Sequence, residues 1–256
     1  MRTFVIAGAL ALGLASLPLT AADAGSAWRV TIKASTHQVA AGKAVVFTGK
    51  VRPGSSAGKK VVLQEKFKPG KPWVSQKNAP IQADGTYQVK DKPTLTTVHR
   101  YRVVMPGARH HNKGVSPVVK VTVYAWTLLS QQTAVNDTSM GFGTVPINGT
   151  SYQDSIWNRF GTSGSIEFNV NHKCIKVRSV FGLSDNSTTA GQGEVSIESD
   201  GASIYSNTFD VGQSQERTLS LTPAPLKLRL EAHDTSTTGG AVGHGAFGGP
   251  EVLCTS

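Results

Sequence analysis

The sequence predicts an all-β protein that contains two β-sandwiches. Short segments in which apolar and polar residues alternate recur along the chain, and Gly, Pro, Asp and Asn turn signals separate them. No segment of residues 25–123 shows the 3.6-residue apolar period of a helix. In the second half, only residues 151–160 fit a short helical turn.

The first 24 residues are expected to form a secretory signal peptide. Met1-Arg2 gives a positive start, an apolar run extends from Phe4 to Leu19, and Ala22-Asp23-Ala24 has the small-x-small pattern of a cleavage site. The alternative is a membrane anchor, but that needs about 20 apolar residues and this run is short for it. We therefore expect an extracellular protein without a membrane span, either released or held at the cell wall.

Residues 25–123 are predicted to form the first sandwich. Pro-Gly pairs at 53–54, 69–70 and 106–107 separate its strands. An Asp-Gly pair at 84–85, with alternating residues on both sides, predicts a hairpin. The strands are expected at 28–33, 44–51, 60–66, 81–89, 101–105 and 118–124.

Residues 124–256 are predicted to form the second sandwich. Asp200-Gly201 predicts a second hairpin, because Val195 and Ile197 alternate with polar residues before it and Ile204 follows it. The join at 124–129 lacks a Pro/Ser-rich spacer, so we expect two abutting domains with little freedom. The strands are expected at 165–170, 174–180, 193–199, 203–209, 217–221 and 225–231.

Two cysteines, Cys174 and Cys254, are expected to form one disulfide. An even number of cysteines in an exported chain is typical of structural disulfides. Closing a loop of about 80 residues stabilises the fold by about 4–5 kcal/mol in the chain-entropy account. A redox or metal role for the pair has no supporting His or Cys spacing.

Charge is distributed unevenly between the two halves. Residues 25–123 hold 18 Lys and Arg against 3 Asp and Glu, a net of +15, and residues 124–256 hold 7 against 12, a net of −5. This asymmetry predicts domains with different partners. The segment 98–114 predicts a polyanion-binding surface formed by Arg100, Arg102, Arg109 and Lys113, together with Lys59, Lys60, Lys66, Lys68 and Lys71.

Such a basic field attracts anionic polymers, which outside a cell are teichoic acids, anionic glycans or extracellular DNA. No specific nucleic-acid recognition is expected. Two alternatives are a solubilising surface and a face that docks on the acidic second half.

One segment of the second half contains the residue types that bind sugars. Aromatic rings accept the apolar face of a pyranose, and planar polar groups bind its hydroxyls. The alternative is packing in the core or at a sheet edge, since Trp is mostly buried on average. The candidate ligand-binding residues are Tyr152, Trp157, Asn158 and Arg159.

Three further residues have weaker signals. Asp185 is a ligand contact or an Asx-turn residue. His244, in the glycine-rich run 239–249, is a ligand contact or a surface residue. Glu251 is a candidate calcium ligand, because hard oxygen donors suit that ion. No cofactor is expected, and calcium would serve only as a structural ion.

The sequence predicts no enzyme. Glycoside hydrolysis needs two carboxylates a few ångström apart in a cleft, and the basic half contains three carboxylates in all. In the second half, Glu194 and Glu198 alternate with apolar residues and are expected on a solvated face. The chain contains no H-E-x-x-H motif.

The second half resembles the NPCBM family of carbohydrate-binding modules. "FGTVPINGTSYQDSIW" (142–157) is similar to the opening of that family, and "CIKVRSVFGLSDNST" (174–188) and "GEVSIESDGASIYSN" (193–207) are similar to its later strands. "GQSQERTLSLTPAPLKLRL" (212–230) and "GHGAFGGPEVLC" (243–254) continue the resemblance in the family's order.

This resemblance implies a galactose-binding-domain-like jelly roll over 124–256, with a polysaccharide or cell-wall glycan as partner and sometimes a structural calcium. The chain departs from the family at two positions. The segment 157–161 lacks the family's His, and Phe247 replaces its usual Trp.

The first half more loosely resembles the Ig-like domains of actinobacterial exported proteins, on "KKVVLQEKFKPGKPWVSQKNAPIQADGTYQVK" (59–90) and "YRVVM" (101–105). That resemblance implies a spacer or adhesion fold. The function expected for the whole chain is noncatalytic binding of carbohydrate or a cell surface. The alternative is a structural or protein-interaction role in the cell envelope without sugar binding.

Overall fold

The computed structural model describes residues 26–108, 110–160 and 162–256, and over these ranges the chain is nearly all β. The expected signal peptide and Arg109 lie outside the described residues. Two short 3-10 helices, Gly54–Ser56 and Leu129–Gln131, interrupt the strands. The strands are β1 Arg29–Val30, β2 Lys33–Ala34, β3 Gln38–Ala40, β4 Val45–Arg52, β5 Lys60–Lys66, β6 Val74–Pro80, β7 Thr86–Asp91, β8 Val98–Met105, β9 Gly114–Val115, β10 Val119–Leu128, β11 Ala134–Thr138, β12 Met140–Ile147, β13 Thr150–Asn158, β14 Ser163–Asn169, β15 Cys174–Leu183, β16 Gln192–Ser199, β17 Ala202–Asp210, β18 Ser214–Ser220, β19 Lys227–Asp234 and β20 Gly245–Cys254.

The all-β prediction is confirmed, and in each half two sheets face each other across a core. In the first half, β1, β2 and β7 pair with β4, while β6, β5, β8 and β10 form the opposing layer. Alternation along β4 and β8 sends every second side chain inward. Phe47 of β4 and Tyr101 of β8 meet in this core, with ring centres 4.5 Å apart.

The second half repeats this arrangement with different strands. One layer has the order β11-β14-β19-β16-β17, and the other contains β12, β13, β20, β15 and β18. Their facing side chains form one core cluster, in which Phe168, Phe181 and Phe247 are fully buried. No helix among the described residues is both long and apolar enough to cross a membrane.

Strand β10 belongs to both halves. Its residues 119–122 pair with β8 of the first half, and its residues 125–128 pair with β20 of the second. The expected domain boundary at 123/124 therefore falls inside a continuous strand. The division into 25–123 and 124–256 stays a prediction.

The predicted disulfide is confirmed. Cys174 begins β15 and Cys254 ends β20, and these two residues are direct cross-strand partners joined by a bond between their sulfur atoms. Beyond the bridge, the N–H of Ser256 donates to the carbonyl of Thr96 at 2.9 Å, and their hydroxyls lie 2.6 Å apart. The end of the second half is thus hydrogen-bonded to a loop of the first.

One of the two predicted Asp-Gly hairpins is confirmed and the other is wrong. β16 pairs with β17 around Asp200-Gly201, and both turn residues have positive φ, 50° and 82°. At Asp84-Gly85, by contrast, the chain passes from β6, which pairs with β5, to β7, which pairs with β4. That turn connects the two sheets of the sandwich.

The short helical turn predicted at 151–160 is also wrong, because β13 occupies most of this segment. Asp154 has a φ of 54°, and the pairing of β12 with β13 shifts register beside it. This irregularity disturbs the period-two alternation on which the sequence-based prediction depends.

Candidate functional site

Tyr152 and Trp157, two predicted ligand contacts, lie on one face of the sheet that contains β13. On a regular strand, two residues five positions apart would point their side chains to opposite faces of the sheet. The register shift beside Asp154 brings both half-buried rings onto the same small apolar cluster. The buried members of that cluster are Val145, Ile147 and Ala246.

Glycines provide the space that these side chains occupy. A Cβ at Gly248 would lie 2.9 Å from Cγ of Tyr152, closer than real Cβ contacts, so the ring's position requires glycine there. A Cβ at Gly143 would lie 3.6 Å from the Trp157 ring. The rings therefore rest close to the backbone of the sheet.

Arg159 extends the same surface beyond the end of β13. Its side chain is exposed, and a Cβ at Gly141 would lie 2.5 Å from its Cγ and Cδ, so its stem lies across that glycine. The guanidinium carbon lies 5.9 Å from the ring centre of Phe160, which is 70% exposed. The combination of Tyr152, Trp157 and Arg159 is called the aromatic face below.

Asn158 and His244 contact each other but do not join the aromatic face. Asn158 is fully buried, and its Oδ1 accepts a hydrogen bond from the N–H of Phe160 at 3.1 Å. Nδ1 of His244 donates to the Asn158 carbonyl at 3.0 Å. Nδ2 of Asn158 is buried without a hydrogen-bond partner. Both predicted contacts thus have roles in connecting β13 to the segment that leads into β20.

Asp185 stabilises the turn between β12 and β13. Its Oδ2 accepts a hydrogen bond from the N–H of Gly149 at 2.9 Å, and its own N–H donates to the carbonyl of Pro146 at 2.9 Å. The turn alternative is therefore the one that its geometry supports, although the bonds cross to another segment instead of closing a local Asx-turn.

Glu251 forms an ion pair in place of a metal site. Nε and Nη2 of Arg178 lie 2.7 and 2.6 Å from its Oε2, and the guanidinium carbon lies 4.3 Å from the ring centre of Trp126. Because the guanidinium of Arg178 already pairs with this carboxylate, the geometry does not support Glu251 as a calcium ligand. Across the described ranges, no three His, Cys, Asp or Glu side chains form a group that could hold a metal ion.

Arg100 and Arg102 lie together on the outer face of β8. Nε of Arg102 donates to Gln64 at 2.9 Å, and its guanidinium carbon lies 4.2 Å from the ring centre of Trp73. Burial lowers the pKa of this guanidinium, which still remains protonated at neutral pH. Lys113 precedes β9, beyond the far end of β8, and so does not join the two arginines.

Two surface depressions were missed by the sequence-based reasoning, because only cross-strand register reveals them. One, of about 680 Å³, includes Thr31, Lys50 and Gln88 in its lining. The other, of about 250 Å³, lies beside β14 and β19, where Nη2 of Arg229 is 2.7 Å from Oε1 of Glu231. The alternation of apolar and polar residues at 226–230 predicts a polar face, but it does not predict which strands lie beside that face.

Comparisons with known proteins give matches among solved structures alone. No known family model matches the chain, and no curated protein sequence matches it. The resemblance to the NPCBM family therefore stays a prediction, as does the Ig-like resemblance of the first half.

The structure is similar to that of CBM51-2 with INT domains of Clostridium perfringens ZmpB, at a TM-score of 0.43 and 8% identity over 63% of this chain and 38% of that one. The chain thus spans less than half of that structure. It is similar to CBM51 of Clostridium perfringens GH95 in complex with methyl-galactose, at a TM-score of 0.41 and 13% identity over 50% and 99%.

A third similar structure is the carbohydrate-binding module CBM36 in complex with calcium and xylotriose, at a TM-score of 0.29 and 13% identity, covering 50% of this chain and 98% of that one. All three TM-scores are below 0.5.

Proposed function

We propose that this chain is an exported, noncatalytic protein that binds carbohydrate or another polymer of a cell surface. The observation that supports this most directly is the aromatic face. There, an irregularity in β13 brings Tyr152 and Trp157 to one side of the sheet, next to the exposed Arg159.

The chemistry of this face suits a sugar ring. Both aromatic side chains are half-buried, so each is held by packing and still has surface in contact with solvent. An apolar surface of this kind accepts the C–H groups of a pyranose, and a guanidinium at its margin donates several hydrogen bonds to hydroxyls. Because the rings are already fixed, binding costs little side-chain entropy.

Export is the part of the proposal that rests on residues 1–24. Their composition is that of a secretory signal peptide. An exported binding protein meets polysaccharides of a cell wall or of its surroundings, and the protein is either released or retained at the wall.

A glycan-binding screen of the full chain tests this function. The wild type is expected to bind a defined neutral glycan, with an affinity that salt hardly changes, because stacking and hydroxyl contacts are not screened. Trp157→Ala is expected to weaken this binding about tenfold or more. Trp73→Ala, which removes another half-buried tryptophan in the first half, is the matched control and should leave it unchanged.

Arg159→Ala is a second test variant, which separates a loss of binding from a loss of folding. The side chain is exposed, so the variant should melt like the wild type while losing part of the affinity. Failure of every neutral glycan to bind the correctly folded wild type would contradict the proposal.

The second candidate function is a structural or protein-interaction role without sugar binding. The observation that favours it is that three predicted contacts, Asn158, Asp185 and His244, are used inside the fold. Under this alternative, Trp157→Ala should lower the melting temperature, and no glycan should raise the melting temperature of the wild type.

A further inference from the structure

Three cations lie in a row across neighbouring strands of the first half. Lys66 of β5 and Lys120 of β10 are both direct cross-strand partners of Arg100 on β8. Directly paired residues project to the same face, and adjacent strands lie about 4.8 Å apart. We call these three residues the basic row.

Nothing within the described ranges neutralises the basic row. Like charges placed directly opposite each other destabilise a sheet. None of the ion pairs between described residues includes a member of the row. The adjacent acid Glu65 is 4% exposed and points to the core, where Nδ1 of His99 lies 2.5 Å from its Oε1. The fold thus keeps three like charges side by side at an energetic cost, and their positive field is directed to solvent.

Arg102 adds a fourth cation that is fixed in place beside the row. Its guanidinium lies over the ring of Trp73 while its Nε donates to Gln64, the cross-strand partner of Arg102 on β5. The ammonium of Lys66 also lies over this ring, 5.7 Å from its centre. The aromatic ring therefore orders two cations of the surface, which lowers the entropy cost of an ionic contact.

We propose that the basic row, with Arg102, is a docking surface for a linear anionic polysaccharide that crosses the strands of this sheet. Successive carboxylate or sulfate groups of the polymer pair with successive cations. The sheet face is complementary to such a partner in charge, because it offers cations on three adjacent strands and the +15 half of the chain surrounds it.

The geometry favours an anionic polysaccharide over a nucleic acid. Proteins that bind single strands stack the bases on open aromatic rings. In this sheet two cations lie over the Trp73 ring, so that ring is not open for stacking. Proteins that read a duplex insert a helix or ribbon into a groove, whereas the basic row lies on the face of a sheet.

The test measures binding of the full chain to heparin and to polygalacturonate, with neutral dextran and random-sequence duplex DNA as comparison ligands. The first variant changes the row through Lys66→Gln, Arg100→Gln and Lys120→Gln. The matched control removes two lysines and one arginine from the outer face of the opposing sheet, through Lys33→Gln, Lys50→Gln and Arg52→Gln.

We expect the row variant to bind the anionic polysaccharides about tenfold more weakly or worse, and to lose much of the salt dependence of binding. The control variant should stay within about threefold of the wild type. The row variant should melt no lower than the wild type, because the substitutions relieve repulsion between like charges.

Equal losses in the two variants would overturn the proposal, because they would mean nonspecific attraction or binding at the opposing sheet. Tighter binding of DNA than of either polysaccharide, or no binding of the wild type, would overturn it as well. The result is independent of the aromatic face, since Trp157→Ala is not part of this test and neutral dextran serves only as an uncharged comparison ligand.

Discussion

The imidazole of His99 lies between two hydrogen-bond acceptors in the core of the first sandwich. Nδ1 is 2.5 Å from Oε1 of Glu65, and Nε2 is 2.6 Å from the carbonyl oxygen of Leu95. Since a carboxylate and a carbonyl oxygen both accept hydrogen bonds, this geometry favours an imidazolium that donates from both ring nitrogens. Burial lowers the pKa of His99, but the hydrogen bonds to Glu65 and Leu95 outweigh burial and raise the pKa above its ordinary value.

This raised pKa predicts that the fold is less stable in alkaline solution. The stabilisation is complete below the unfolded-state pKa of about 6.5 and is lost as the pH rises through the folded-state value. At pH 6, His99→Gln should lower the free energy of unfolding by about 3–5 kcal/mol, because it leaves Glu65 buried without its cation. Urea unfolding of both proteins from pH 6 to pH 9 measures this. A constant difference over that range would contradict the prediction.

Loss of the disulfide should destabilise the fold substantially. The bridge joins residues 80 positions apart. Replacing both cysteines by alanine is expected to lower the free energy of unfolding by about 4–5 kcal/mol in the chain-entropy account. Urea unfolding measures the loss. A reductant should reproduce it in the wild type and have no effect on the variant, and a loss below about 1 kcal/mol would contradict the prediction.

Gly49 is expected to tolerate no side chain. A Cβ there would lie 2.0 Å from the carbonyl oxygen of Thr31 and 2.5 Å from the buried hydroxyl of Tyr87. Gly49→Ala should therefore cost about 2–4 kcal/mol through forced displacement of backbone and core. Gly54→Ala is the control, because a Cβ at Gly54 meets nothing within 4 Å. Equal unfolding free energies of the two variants would contradict this.

The carboxylate of Asp200 is expected to stabilise the confirmed hairpin above acidic pH. Its two oxygens accept hydrogen bonds from the N–H groups of Lys227 and Leu226, at 2.8 and 3.1 Å. The bond from Lys227 is the main reason that its pKa is lowered, so the stabilisation is present above the unfolded-state value and lost as the pH falls through the folded-state value.

Asp200→Ala should therefore lower the melting temperature at pH 7 and have a smaller effect at about pH 2.5, because the ionised fraction of the wild-type carboxyl decreases as the pH falls toward its folded-state pKa. Asp200→Asn, which tolerates the positive φ, separates the contribution of the charge from that of the turn conformation. An equal effect of Asp200→Ala at both pH values would contradict a role for the charge.

Local patterns in the sequence predict the strands that alternate cleanly. The predicted strand at 60–66 coincides with β5, and the hairpin at Asp200-Gly201 is confirmed. The segment of β12 and that of β20 were not predicted as strands, because glycines and prolines occupy positions where a strand pattern expects side chains. Their pairing with β13 and β15 supplies the stabilisation that local propensity lacks.

The candidate surfaces were predictable by residue type but not by arrangement. Tyr152 and Trp157 were predicted from their proximity in sequence, whereas their common face depends on the register shift beside Asp154. Arg100 was predicted as a polyanion contact, but Lys120 was not, because that pairing depends on the register of β8 with β10. Cross-strand register is a property of the whole sheet, and a single segment does not encode it.

The continuity of β10 has a mechanical consequence. Its hydrogen bonds to β8 and β20 run perpendicular to the strand. If the two halves are pulled apart along the direction of β10, the tension loads these bonds in shear, all at once instead of one after another. A pull along β10 is therefore transmitted from one half to the other through the strand itself.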